Sequence, residues 1–216
     1  MTRPLLLGHR GARASRHVTE NTLESFELCL RHGCDGFEFD VRRSADGQAV
    51  ICHDAVTRGM VIAKTTASAL ALPTLGDVLS SFGRRAFLDI ELKVPGLEQQ
   101  TVGLLRKHSS AKKYMVSSFK PDILSAFREF DSTIPLGFIS DRHDELERWP
   151  ELPVAWVIPH FQLLDPTLIE KIHASGKKVM MWTVNRQDRL RRLAELGVDA
   201  IISDDTELIA QVLADK

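Results

Sequence analysis

Four short stretches of the chain place ionisable side chains where they can act together: His9-Arg10-Gly11, Glu38-Phe39-Asp40, His53-Asp54 and Glu91-Leu92-Lys93. In extended backbone, successive side chains alternate between faces. Glu38 and Asp40 therefore leave one face of a strand with Phe39 on the other, and Glu91 and Lys93 share a face with Leu92 opposite. Three carboxylates converging in a confined site repel one another strongly. A hard divalent cation relieves that repulsion, and carboxylate oxygens are the ligands that Mg²⁺ and Ca²⁺ prefer. Glu38, Asp40 and Glu91 are the expected metal ligands on this reasoning. Each pair alone is explained by a salt bridge at a solvated strand end; both pairs within one repeating strand–helix pattern favour the metal.

His9 and His53 are the candidate acid and base, because imidazole titrates near neutral pH. Arg10 is an anion-binding side chain, and Gly11 lets the backbone approach a ligand. Asp54 can orient His53, and Lys93 adds a second positive charge beside the carboxylates. Two cations, a metal site and two histidines suit a phosphoester better than an acyl or glycosyl substrate. His17, His32, His108, His143, His160 and His173 are read as structural or surface histidines, of which His160 follows a strand. Trp182 either walls the substrate pocket or packs as a core aromatic at the rim. Arg189, Arg191 and Arg192 read as a solvated helix face.

Short apolar runs alternating with helical patterns must position these groups. The runs predict strands at 4–8, 35–41, 48–52, 86–92, 113–118, 134–139, 153–158, 177–184 and 198–203. Several are rich in Val, Ile, Leu and Phe with little alternation, as in strands buried on both faces. Helices are predicted at 22–32 (capped by Asn21 and stopped by Gly33), 74–82, 97–108, 121–130, 166–175, 186–196 and 206–214, with a short one at 144–149. Asp165-Pro166 is a start signal, and Gly176 and Gly197 are stops. With 48–52 taken as an extension after the second strand, about eight strand–helix units remain, the count of a TIM (β/α)₈ barrel. An open doubly wound sheet is the rival, weakened by the lack of a GxGxxG after the first strand. In a TIM barrel the ends of strands one, two, three, seven and eight, where the polar residues gather, form the active-site face.

The 216 residues suit a single domain, 1–216, and no linker or low-complexity tract divides them. With 28 Lys and Arg against 29 Asp and Glu, nothing suggests nucleic acid or an anionic membrane as a partner. The run Leu5-Leu6-Leu7 is too short for a signal peptide, and no stretch approaches a membrane span. Cys29, Cys34 and Cys52 form no paired pattern, so reduced thiols and a cytoplasmic location are expected.

Taken in order, His9-Arg10-Gly11, Glu20-Asn21-Thr22, Glu38-x-Asp40, His53-Asp54, Glu91-x-Lys93, Ser118-Phe119, Trp182-Thr183-x-Asn185 and Gly197-Val198-Asp199 leading to Ser203-Asp204 resemble the glycerophosphodiester phosphodiesterase family. The resemblance runs from the first strand to the last. It implies a TIM barrel that hydrolyses glycerophosphodiesters to sn-glycerol 3-phosphate and an alcohol. It implies Mg²⁺ or Ca²⁺ on Glu38, Asp40 and Glu91, His9 and His53 as the acid–base pair, Arg10 and Lys93 on the phosphate, and Trp182 near the substrate. The attacker is either water or a neighbouring hydroxyl of the glycerol, giving a cyclic phosphate that is then opened. The family usually has Pro where this chain has Thr19 and Thr206, and many members carry a longer insertion where this chain has only a short cap segment, 55–73. The rivals are a phospholipase D-like hydrolase of lysophospholipid or sphingolipid head groups, and a catalytically silent phosphate-binding barrel.

Overall fold

The computed structural model describes residues 3–108, 114–163 and 165–213. Eight parallel strands close on themselves: β1 (Leu5–His9), β2 (Gly36–Arg43), β6 (Phe87–Leu92), β7 (Tyr114–Ser118), β8 (Leu136–Ser140), β9 (Trp156–Pro159), β10 (Lys178–Met181) and β11 (Ala200–Ser203). The ring closes where β1 pairs with β11 on one side and β2 on the other. This is the TIM barrel, and the open sheet is excluded by that closure. Antiparallel β3 (Ala49–Ile51) pairs with the end of β2, as an extension of the second strand.

The helices follow the apolar stripes and their stop signals. They are α1 (Leu23–Arg31), α2 (Ala67–Leu70), α3 (Leu75–Phe82), α4 (Glu98–His108), α5 (Pro121–Phe130), α6 (His143–Leu146), α7 (Pro166–Ala174), α8 (Gln187–Glu195) and α9 (Thr206–Leu213). Asp165 caps α7 with Pro166 in the first turn, and Thr74 and Asp77 form a reciprocal capping box on α3. The cap of α1 differs from expectation. Thr22, not Asn21, accepts the Ser25 backbone N–H. Asn21 instead takes a left-handed conformation, φ 58°, which Asn tolerates, and its side chain turns inward to Asp40. Residues 113 and 214, at the ends of a predicted strand and a predicted helix, lie outside the described residues.

Two apolar layers hold the barrel. Inside the ring, Leu7, Met115, Ile139, Trp156, Ile158, Met180, Ala200 and Ile202 fill the lumen. Outside, Phe37, Phe39, Leu92 and Met181 face the helices, so the alternation inferred for Phe39 and Leu92 holds. Phe26 of α1 stacks on Phe37 with ring centroids 4.2 Å apart, and Phe82 of α3 meets Phe37 edge-on. Such pairs add about 0.5–1.5 kcal/mol beyond area burial, enough to fix how α1 and α3 seat against β2. Gly137 keeps the lumen packable, because a Cβ there would stand 2.6 Å from the Ile158 Cδ1 atom.

The segment 55–73 is not featureless. It holds a hairpin of β4 (Val56–Thr57) and β5 (Met60–Val61), then a single 3₁₀ turn and α2. Ile62 and Leu70 pack with Val50 in a small apolar cluster of their own. Among the described residues no helix is long and apolar enough to cross a membrane.

Candidate active site

Parallel register places the ionisable residues at one end of the ring. His9 lies beside Glu38, Glu38 beside Asp89, and Asp40 beside Glu91. His9, Arg10, Glu38, His53, Asp89, Glu91, Lys93, Phe119 and Trp182 line a cavity of about 150 Å³, floored by Ile139, Ile158 and Ile202. Every expected site residue except Asp40 lines this space, and Asp40 is buried against it through Lys93 and Arg10.

Glu38, Asp40 and Glu91 are all buried, and each offers a carboxylate oxygen within 4.8 Å of the others. Their electrostatics show an incomplete balance. Burial, and then the neighbouring Asp40, Glu91 and Asp89, push the Glu38 carboxyl well above its ordinary range. Glu91 is pushed up to about 7 by burial, even though Lys93 Nζ stands 2.6 Å from its Oε1. Burial outweighs that ion pair. Asp40 goes the other way: burial works against its ionisation, but Lys93 at 3.3 Å and Arg10 at 3.2 Å hold it below its usual value. The Oε1 atom of Glu38 has no hydrogen-bond partner at all. An orphaned, buried carboxylate oxygen among two other hard donors fits a divalent cation.

The folded pKa values of Glu38 and Glu91 are raised, so without a cation the folded state holds protons that the unfolded chain has already lost. Stability of the metal-free protein falls as pH rises from the ordinary carboxylate range through about 7. A cation held by these carboxylates would bind the ionised form and cancel that loss. The rise in melting temperature on adding Mg²⁺ or Ca²⁺ is expected to be clearly larger at about pH 8 than at about pH 5. Thermal denaturation at both pH values measures it; equal shifts would count against these carboxylates as the ligands.

The two histidines are held differently. His9 gives its Nδ1 edge to Asp204 Oδ1 at 2.7 Å, leaving Nε2 toward the cavity, 3.8 Å from Glu38. Asp204 also receives Asn185 Nδ2 at 2.6 Å and Arg13 at 3.0 Å. Burial opposes the charge on Asp204, but these hydrogen bonds, that of His9 first, keep its carboxyl below the ordinary range. His53 Nδ1 meets Asp54 Oδ1 at 2.8 Å, and Arg42 Nε donates to the His53 carbonyl oxygen at 2.7 Å. His53 is the more exposed of the two.

Arg10 follows β1 with φ 53°, a conformation that costs a non-glycine residue about 1–2 kcal/mol. The site holds it there: its backbone N–H donates to Glu38, and its guanidinium meets Glu20 at 2.8 Å. Gly11 continues the turn at φ 81°, where a Cβ would strike the Ser25 hydroxyl. Arg10 Nε lies 3.2 Å from Asp40 Oδ2 but makes no hydrogen bond, and is a buried donor without a partner. Lys93 lies over the Phe119 ring, which meets Trp182 edge-on, and Trp182 Nε1 donates to the Ile158 carbonyl. Trp182 is thus both pocket wall and rim packing.

Sequence reasoning gives no site role to Asp204, Asn185, Glu20, Arg13 or Asp89, and to Asn21 only that of a helix cap. Asp89 was within reach of it, since alternation along Asp89-Ile90-Glu91-Leu92-Lys93 puts the first, third and fifth side chains on one face. His160 packs on the rim side of Trp182, not in the cavity lining. His173 sits exposed on α7, paired with Asp199.

A barrel mouth furnished in this way suits attack at phosphorus, and the class it defines is the phosphoric diester hydrolases. The chain belongs to the glycerophosphoryl diester phosphodiesterase family, whose sequence model matches residues 9–101 and 97–208. A glycerophosphodiester phosphodiesterase of Caldanaerobacter subterraneus subsp. tengcongensis is 27% identical, with 97% of each chain covered. Among solved structures, an Oleispira antarctica phosphodiesterase in complex with the product sn-glycerol-3-phosphate is 28% identical, with TM-score 0.84 over 97% of this chain and 96% of that one. The Thermotoga maritima glycerophosphodiester phosphodiesterase is 25% identical, with TM-score 0.82 over 98% and 99%.

Proposed function

We propose that this enzyme hydrolyses glycerophosphodiesters to sn-glycerol 3-phosphate and an alcohol. Glu38, Asp40 and Glu91 hold the divalent cation in this reading, and His9 and His53 move the protons. The observation that carries it is the meeting, in one small cavity, of three buried carboxylates with an unsatisfied oxygen, two carboxylate-oriented histidines and two cations. The product named for the Oleispira relative supports the same substrate class.

A divalent cation on the three carboxylates would draw charge from the phosphate oxygens and lower the barrier to attack. It would also satisfy the carboxylates that Arg10 and Lys93 otherwise neutralise, leaving both side chains for the phosphate. His9 is the deeper imidazole. With Nδ1–H held by Asp204, its Nε2 takes the proton from the attacking oxygen, whether water's or the substrate's own adjacent hydroxyl. His53, at the open side, gives a proton to the leaving alkoxide. Asp204→Asn keeps the shape but weakens the orientation of His9; a loss of about 10–100-fold in kcat, with KM little changed, is expected from steady-state kinetics.

The head-group side of the substrate meets the short cap. His53 also lines a second cleft, about 220 Å³, between Thr19–Thr22 and the segment carrying Val56, Thr57 and Leu72. Few polar groups of the cap reach this space, so discrimination among alcohols is weak in this reading. Each lost contact relaxes selectivity by about 10–200-fold. Choline, ethanolamine and glycerol head groups are expected to give similar kcat/KM, and bulkier lysophospholipids are expected to be accepted. Steady-state kinetics on that panel checks it. A preference above about a thousandfold for one head group contradicts an open cleft.

A further inference from the structure

Asp89 is a fourth carboxylate in the barrel that the metal and the acid–base chemistry do not use. It lies on β6 one register step below Glu91, opposite Glu38, and is fully buried. Its Oδ1 accepts the Ser117 hydroxyl at 2.6 Å. Its Oδ2 has no partner, and the residue lines the catalytic cavity at the level of the apolar floor formed by Ile139, Ile158 and Ile202. An orphaned buried acceptor at a cavity wall costs stability unless a ligand or water meets it.

The surroundings decide what the partner is. A second cation needs about six oxygen donors, and the isoleucines facing Asp89 supply none. An anion is disfavoured beside four carboxyl groups. A neutral hydroxyl on a short carbon chain satisfies both walls: its O–H meets the carboxyl and its C–H surface lies on the isoleucines. We propose that Asp89 is a specificity residue that accepts a hydrogen bond from a hydroxyl of the substrate's glycerol moiety, seating that moiety in the lumen below the metal ligands. This rests on the proposed hydrolysis of glycerophosphodiesters and places their two halves. The glycerol points inward to Asp89, and the leaving alcohol points outward past His53 to the cap cleft.

The test is a binding measurement, so that it stands apart from turnover. Isothermal titration calorimetry compares sn-glycerol 3-phosphate with propyl phosphate, which carries the same phosphate without the hydroxyls, both in the presence of Mg²⁺. The wild-type protein is expected to prefer sn-glycerol 3-phosphate by about 10–100-fold, the worth of one or two hydrogen bonds to a buried carboxyl group. Asp89→Leu is expected to reduce that preference to within a few-fold. Asp89→Asn keeps a hydrogen-bonding amide and is expected to retain most of it. If the Leu variant does not fold, as judged by circular dichroism, Asp89→Ala takes its place. An unchanged preference in a folded Leu or Ala variant, or no preference in the wild type, overturns the proposal. Failure of the proposed hydrolase activity would appear separately, as absence of diester turnover by a protein that still distinguishes the two phosphates.

Discussion

Stripping divalent cations with EDTA is expected to take turnover of glycerophosphodiesters to background, and returning Mg²⁺ or Ca²⁺ in excess to restore it. The reason is electrostatic. Glu38, Asp40 and Glu91 are buried within 4.8 Å of one another, and Arg10 and Lys93 are paired with them. Without the metal those two side chains are drawn into neutralising carboxylates, and they cannot also hold a phosphodiester. A bound cation would change both halves of the problem, giving the carboxylates a partner and freeing Arg10 and Lys93 for the substrate, as proposed. Replacement of Glu38 by Gln removes a ligand charge while preserving its volume, and is expected to raise the cation concentration needed for half-maximal activity. Full activity in excess EDTA, together with elemental analysis showing no bound metal, would remove the cation from the mechanism.

The histidines give the second large effect. A positioned acid or base contributes about 10²–10⁴-fold to rate, so His9→Ala and His53→Ala are each expected to lose about that factor in kcat with the fold intact. His9 is tied at 2.7 Å to Asp204 and His53 at 2.8 Å to Asp54, so each ring is held in one orientation. The control is His173. It is exposed on α7 and paired with Asp199 away from the cavity, and His173→Ala is expected to leave kcat/KM within a few-fold. If His173→Ala were as damaging as His9→Ala, the site would have to be moved from the mouth of the barrel.

Much of this arrangement is legible in the chain because it obeys local rules. Period-two alternation aimed Glu38 with Asp40 and Glu91 with Lys93, and helix stops at Gly33, Gly176 and Gly197 marked the units whose count is that of a TIM barrel. The unread parts are long-range. Asp204 reaches His9 across 195 residues, and only closure of the ring, with β11 pairing against β1, brings them together. Asn21 looks like a helix cap because that is what Asn does locally. Asp40, 19 residues on, draws its side chain inward and leaves the cap to Thr22. The cap segment hid its hairpin for a different reason: two-residue strands such as Val56–Thr57 and Met60–Val61 carry no period, and Val56 and Val61 remain exposed. Asp89 is the exception, since the same alternation that singled out Glu91 extends to it.

Which phosphorus–oxygen bond breaks is the most direct question to put to the enzyme. Glycerophosphocholine incubated with the protein and Mg²⁺ or Ca²⁺, and followed by ³¹P nuclear magnetic resonance with a choline assay, distinguishes the products. The expected result is sn-glycerol 3-phosphate and free choline in equal amounts, as follows if the glycerol side is seated in the barrel and the head group leaves past His53. Phosphocholine and glycerol as products, or no turnover with either cation present, would contradict the proposed function.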